Sequence, residues 1–387
     1  MQINKLNKTL SYVNNSSRED YFLKESKTFE EVDGVDVYKW FAPNNLYAES
    51  VIRDIRNGTT LSSLLSEDLI YKTGDGFDSS DAKLLNYLDE INFKQTFSNS
   101  NDHLTKLGNV FYEVIVNEND ELISLSTIQP QKCRLSKDGD KVVISASWTD
   151  FNKDKSITLP LYPKFKKQTT KGIVLKRSVY HTKTNAIGFD HYGVNENIHE
   201  SLLLNEKEHR RNNWQLNQIR NGYKKDFFLV SDYPMTDNEK LEADKAFKNI
   251  SGDDNAGGIE SIVSDGGKLV SASESYEFDF TKDDTSDQIF LKNGFPKSLI
   301  GIKSGSAFSV EQVESDYEQY LPKVVSQQKK IIYDLSKIFI NHTKFNTKDL
   351  AVINTPPSVI LQGYMQYMND EQKNKVIENV FKKYGIK

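Results

Sequence analysis

Two Glu-x-x-His pairs lie close together in the sequence, Glu196/His199 and Glu206/His209. The spacing sets a carboxylate and an imidazole on one helix face. Di-metal carboxylate bundles use it with one copy from each of two helices. Here both copies fall on one predicted helix, roughly 15 Å apart at 1.5 Å per residue, too far to share a metal pair. They read as solvated helix surface. His181 and His191 bracket a turn-rich loop with Asp190 adjacent, but no convergent carboxylates or activated nucleophile accompany them. The single cysteine, Cys133, sits between Lys132 and Arg134, a setting that lowers a thiol pKa. On a predicted strand it reads as a structural thiol. The Gly266–Lys268 run lacks the upstream glycine and the following hydroxyl of a phosphate loop and reads as a hairpin turn. No GxGxxG follows a strand and no HExxH occurs. Three basic clusters, Lys164–Lys167, His209–Arg211 and Lys224-Lys225, are too short for tight or sequence-specific DNA binding. No catalytic residue, metal or cofactor is expected, and the missing phosphate loop argues against an ATP-driven motor.

The elements that carry these residues come from a chain of 387 residues, which suggests two or three structural units. With 50 Lys+Arg against 55 Asp+Glu the formal charge is −5, unlike a protein that grips nucleic acid over its whole surface. At 37% hydrophobic residues the core is lean, so some apolar surface is expected to be completed by a partner subunit. One cysteine excludes an intramolecular disulfide framework. No apolar stretch nears the ~20 residues of a membrane span, and the first residues lack a secretory h-region, so a setting in the cytoplasm, or in a particle assembled there, is expected.

Residues 1–45 read as a loosely ordered arm with an edge strand at Val35–Phe41. Helical spacing over Leu46–Leu65 is interrupted at Asn57-Gly58. Leu69–Lys72 reads as a short strand ending in a TGDG turn. Ser80 is taken to cap a helix over Asp81–Ile91, and a second helix runs Phe93–Lys106 and stops at Gly108. A hairpin joins Val110–Val116 to Leu122–Leu125 and opens a β-rich layer to about residue 190. From Glu196 to Arg220 helix formers dominate, yet beyond Leu202–Leu204 the apolar stripe fades. A helix polar nearly all round bridges, lines a channel, or is not stable. Residues 226–280 read as a small α/β insert. It has a strand at Phe227–Val230, a capping box at Thr236/Glu239 with a helix to Phe247, a hairpin of Gly258–Val263 with Lys268–Ser271, and a strand at Tyr276–Phe280. A helix over Thr285–Lys292 ends at Asn293-Gly294. Ser309 with Gln312 opens a long amphipathic helix to Ile340, which Pro322 is expected to kink. A last helix is expected over Asp370–Tyr384.

Four segments together resemble the portal (head-to-tail connector) proteins of tailed bacteriophages. The first, His103–Leu135, holds a Gly-Asn, two strands about a turn, and an ending with Pro130 and Arg134. The second, Val179–Val230, gives a glycine turn, a long polar helix and a strand. The third is the Gly252–Val270 run. The fourth, Phe290–Val325, carries the FLKNGFPKSLIGI loop followed by a helix with an internal proline. The resemblance spans about 100 to 340.

The resemblance implies an α+β portal fold with a β-rich wing, a long stem helix, a small α/β clip and a long kinked helix after a tunnel loop. The implied divisions are a wing over 1–195, a stem helix over 196–225, a clip over 226–280 and a returning stem helix over 281–294. A tunnel loop over 295–308, a long wing helix over 309–341 and a crown-like tail over 342–387 complete it. It implies a structural, non-enzymatic ring at the capsid vertex of a virion assembled in the host cytoplasm. The implied partners are further copies of the chain (a dodecamer), double-stranded DNA in the channel, the terminase large subunit, the major capsid protein and a neck or tail adaptor. The implied channel residues are Lys297, Ser298, Leu299, Ile300, Gly301, Ile302, Lys303, Ser304, Gly305 and Ser306. On the stem helix they are His209, Arg210, Arg211, Asn213, Gln218 and Arg220. The alternatives are a DNA-processing enzyme (nuclease or recombination factor) or another virion component such as a neck adaptor.

Overall fold

The computed structural model describes residues 24–25, 29–32, 34–42, 46–148, 155–170, 173–186, 188–220, 227–231, 236, 238, 267–271, 284–300, 309–357, 360, 369–371 and 373–374. The fold is mixed α+β, with small antiparallel sheets among helices. Strands β1 (Lys24–Glu25), β2 (Phe29–Val32), β3 (Val35–Tyr38) and β4 (Phe41–Ala42) lead in, paired β1 with β4 and β2 with β3. The predicted edge strand is therefore one arm of a hairpin. Trp40, fully buried, ties this lead to the body by stacking on Tyr192 and donating from Nε1 to the Cys133 carbonyl at 3.0 Å.

Helices α1 (Tyr47–Asn57) and α2 (Thr59–Thr73) follow, broken at Gly58 as the spacing predicts. The strand expected at Leu69–Lys72 is instead the last turns of α2. Asp68 and Lys72, four apart, form a 2.6 Å ion pair largely out of water, and the Tyr320 hydroxyl donates to Asp68. Those tertiary partners reward the helical spacing over the local β-branched residue. After β5 (Gly76–Asp78) comes α3 (Ala82–Glu90), capped by Asp81 rather than Ser80: Asp81 Oδ1 accepts from the Lys83 and Leu84 amides. Helix α4 (Phe93–Leu107) ends at Gly108, whose φ of 67° is left-handed backbone that glycine adopts freely.

Strands β6 (Asn109–Val116) and β7 (Leu122–Ile128) form the expected hairpin, followed by β8 (Cys133–Leu135), β9 (Lys141–Ile144), β10 (Ile157–Pro160), β11 (Lys166–Thr170) and β12 (Ile173–Lys183). They make a four-stranded antiparallel sheet in the order β11-β12-β6-β7 and a three-stranded sheet β10-β9-β8. Side chains alternate across a strand. On β6, Phe111 therefore joins one core with Trp40, Leu61, Tyr192 and Phe295, while Val110, Tyr112 and Val114 join a second with Phe93, Phe97, Leu335 and Phe339.

Helix α5 (Glu196–Arg220) spans the predicted polar stretch. Strand β13 (Phe227–Ser231) pairs with β14 (Gly267–Ser271). The expected β14 partner, Gly258–Val263, lies outside the described residues, as do most of the helix from Thr236 and the strand Tyr276–Phe280. Helix α6 (Thr285–Asn293) ends at left-handed Gly294. Helix α7 (Val310–His342) begins where predicted, the Ser309 hydroxyl accepting from the Gln312 amide at 3.2 Å, and runs through Pro322. Its Tyr320 and Val324 enter the first core and Ile331, Leu335 and Phe339 the second, so one helix clamps both. Strand β15 (Ala351–Ile353) pairs with β5. The expected last helix is described only at Asp370, Glu371, Lys373 and Asn374, which are helical.

Burial also settles the chemistry of two side chains. Desolvation pushes the Cys133 thiol well above its ordinary range despite Arg134 and Lys132 beside it, so it is an inert core thiol. Arg134, fully buried, lies over the rings of Trp40 at 5.6 Å and Trp148 at 4.7 Å and donates to the Gln131 and Cys133 carbonyls.

Candidate functional site

Helix α5 starts from a buried knot. Gly108, at the end of α4, and Gly193, just before α5, meet so closely that a Cβ on Gly193 would sit 2.1 Å from the Gly108 carbonyl oxygen. Asn109 stitches the two strands of chain together. Its Nδ2 donates to the Leu107 and Gly193 carbonyls at 2.7 and 2.9 Å, and its Oδ1 accepts from the Gly193 amide at 2.8 Å. His181 Nε2 donates to the same Oδ1 at 3.1 Å while its ring stacks on Phe111 at 4.2 Å. Asn195 Nδ2 reaches back to the Thr105 carbonyl at 2.7 Å. The Gly-Asn of the first resembling segment is thus the root from which α5 departs.

Desolvation holds the His181 pKa near 3, against an ordinary 6.5, and holds His103 near 4. Both are neutral when folded, whereas the unfolded chain protonates them below about 6.5. Between those pH values the unfolded state binds more protons, so stability is full above pH 6.5 and declines as pH falls toward 3. Each histidine contributes roughly 1.4 kcal/mol per pH unit within its window. Urea unfolding from pH 7.5 to 4 should show this fall, and His181→Phe should flatten part of it.

Helix α5 is polar, but not because every side faces solvent. Ile198, Ser201, Asn205 and Glu208 are buried at helical spacing, so one polar face is turned onto the chain's own body. The Glu208 carboxylate accepts from Thr59 Oγ1 at 2.9 Å, Thr60 Oγ1 at 2.6 Å and the Thr60 amide at 3.3 Å. It thereby caps α2, whose own preceding residue, Gly58, has no side chain to do so. Asn205 Nδ2 donates to the Asp54 carbonyl, and a Cβ on Gly58 would overlap Asn205. Ser201 Oγ accepts from Asn293 Nδ2 on α6 at 2.9 Å, and Glu200 pairs with Lys292. Leu203 and Trp214, by contrast, are exposed on the opposite side.

The stem residues named from the sequence therefore divide. His209 turns to the body, its Nδ1 donating to the Asn57 carbonyl at 3.1 Å and its Nε2 accepting from Asn213 Nδ2 at 3.0 Å. Arg210 projects outward and pairs with Glu206 one turn earlier. Arg211 is half-buried. Gln218 and Arg220 lie on the helix backbone, and their side chains are outside the described residues. Ser201, Asn205 and Glu208 were missed, although their spacing is a helical stripe visible in the sequence.

The loop residues divide as well. Lys297–Ile300 form a 3-10 turn. Lys297 pairs with Asp287 and lies over the Phe290 ring, while buried Ser298 donates to Asp316 Oδ2 on α7 at 2.5 Å. Leu299 and Ile300 are half-buried against the first core, where Phe295 meets Tyr320 edge-on at 4.9 Å. Gly301, Ile302, Lys303, Ser304, Gly305 and Ser306 lie outside the described residues. Among the described residues, no cluster of His, Cys, Asp and Glu could hold a metal ion, and no helix is long and apolar enough to cross a membrane.

No protein-family model matches the sequence, and no curated protein matches it. Among solved structures, a chain in the neck of an empty GTA particle, computed with C6 symmetry, superposes with a TM-score of 0.54. The match covers 87% of this chain and 94% of that chain at 12% identity. The two share a fold. A chain in the virion of a native gene transfer agent (GTA) particle gives a TM-score of 0.50 with the same two coverages at 14% identity.

Proposed function

We propose that this chain is the portal, or head-to-tail connector, subunit of a tailed phage or phage-like particle. Copies close a ring at one capsid vertex, within the major capsid protein shell. The ring conducts double-stranded DNA during packaging and ejection, holds the terminase large subunit, and later seats the neck or tail adaptor. The observation that carries this reading is the fold shared along 87% of the chain with a chain from a particle neck computed with C6 symmetry. Four sequence segments resembling portals, in the right order, support it independently.

On this reading 1–195 is the wing, 196–225 the stem helix, 226–280 the clip, 281–294 the returning stem, 295–308 the tunnel loop, 309–341 the long wing helix and 342–387 the crown-like tail. The chain is a structural component, and a partner motor supplies the energy for packaging. A net charge of −5 lets a duplex slide, since each neutralised phosphate adds affinity and would hold it.

Electron micrographs and mass photometry of the purified protein test the reading. Rings with a central hole, of a defined subunit number, are expected; a monomer under every assembly condition would overturn it. The neck setting of the similar structure also favours a second reading, a neck adaptor. Capture of the terminase large subunit by the purified ring selects the portal over the adaptor.

A further inference from the structure

We propose that Asn57 is a site of spontaneous deamidation, that the matching Asn293 is closed to it, and that conversion at Asn57 loosens the joint of α1, α2 and α5. The sequence holds three Asn-Gly pairs, Asn57-Gly58, Asn221-Gly222 and Asn293-Gly294, and the second lies outside the described residues. Asn57 ends α1 and Asn293 ends α6, each followed by its glycine. Glycine has no Cβ to hinder approach to its amide nitrogen, so the backbone can close on the asparagine side chain before it. The glycine nitrogen attacks Cγ of the asparagine as its proton passes to solvent base. The bond from Cγ to Nδ2 breaks, ammonia leaves, and a cyclic succinimide forms. Water then opens one of its carbonyls, giving aspartate, or isoaspartate with the main chain routed through Cβ and Cγ. Nothing is oxidised or reduced: an amide and a water become a carboxylate and an ammonium ion.

Closure needs a free side chain and a turn about ψ of the asparagine that brings the next nitrogen to Cγ. Asn57 meets both needs. It is exposed, and among the described residues nothing bonds to its side-chain amide. The Gly58 amide reaches the Ile55 carbonyl at 3.4 Å, long for such a bond. The turn also gives up the contact from His209 Nδ1 to the Asn57 carbonyl, which lies at the surface. Asn293 is locked on every count. Its Nδ2 donates to Ser201 Oγ at 2.9 Å and to the Ile289 carbonyl at 2.8 Å. The Gly294 amide bonds to the Leu291 carbonyl at 3.1 Å, and the Phe295 amide to the Phe290 carbonyl at 3.2 Å. Each bond that must open holds the reactive geometry back by about fivefold.

Conversion matters because of where Asn57 sits. A carboxylate on the last turn of α1 opposes the helix dipole, which favours cations there. Isoaspartate lengthens the main chain by one methylene at a point with no room to spare. A Cβ on Gly58 would fall 1.6 Å from Asn205 Oδ1. Just beyond Gly58 begins α2, whose first turn is held by Glu208. The lesion therefore reaches α5 through Asn205, Glu208 and His209, which grip this corner.

The full-length protein is aged at mildly alkaline pH in heavy-oxygen water, then digested in ordinary water and mapped by mass spectrometry. The heavy oxygen marks only what converted during ageing. In the folded protein Asn57 should convert at least roughly tenfold faster than Asn293. In urea, where neither pair is held, the two rates should converge. Equal rates in the folded protein would overturn the site, as would an Asn57 that stays intact while the urea-held chain converts. Hydrogen exchange reads the consequence. Aged parent should exchange faster than fresh protein at the amides of residues 205–209. Aged Asn57→Gln, whose longer side chain closes its ring far more slowly, should match its fresh counterpart. A parent converted at Asn57 that still exchanges like fresh protein would overturn the loosening of the joint.

Discussion

Asn109→Leu is expected to be among the most damaging single substitutions in this protein, lowering stability by about 3–5 kcal/mol. The amide of Asn109 serves the Leu107 and Gly193 carbonyls, the Gly193 amide and His181, all inside the fold. Leucine keeps the volume and satisfies none of them. Each buried donor or acceptor left alone costs on the order of 1–3 kcal/mol, and the four share one site, so the sum falls below simple addition. Equilibrium urea unfolding should show a midpoint shift at unchanged slope. A midpoint within error of the parent would mean that water replaces the amide and that the knot does not hold the root of α5.

Glu208→Leu is expected to cost about 2–3 kcal/mol, against about 1 kcal/mol or less for Glu208→Gln. Glu208 is 4% exposed and serves two hydroxyls and one amide at the start of α2. Glutamine keeps an acceptor oxygen and loses only the charge that answers the helix dipole. Leucine leaves the first turn of α2 uncapped and breaks the polar seam between α2 and α5. Hydrogen exchange should therefore accelerate at the amides of Thr60–Ser62 and along α5 in the leucine chain, and little in the glutamine chain. Equal exchange in both would assign the seam to packing rather than to the carboxylate.

What could be read from the sequence was what is local. Gly108 and Gly294 end their helices where the pattern stops, and Ser309 with Gln312 marks the start of α7. The β6–β7 hairpin announces itself by alternation. Failures came where a distant partner decides. The end of α2 resembles a strand until Tyr320, far along the chain, is seen to hold Asp68. The polar run on α5 suggests water on all sides until Thr59, Thr60 and Asp54 are found beneath Glu208 and Asn205. The polar stripe of Ser201, Asn205 and Glu208 is periodic, but a stripe does not name partners more than a hundred residues away. Likewise the first residues of the candidate loop, Lys297 and Ser298, read as free chain because Asp287 and Asp316 lie on separate helices.

The Ser298–Asp316 bond has one more effect. It secures the outgoing side of segment 301–308 to the same rod, α7, that receives its returning side at Ser309. Ser298 and Ser309 are thus both held to α7, at points about 10 Å apart along it at 1.5 Å per residue. Any shift of α7 along its own axis therefore carries both flanks of residues 301–308 with it.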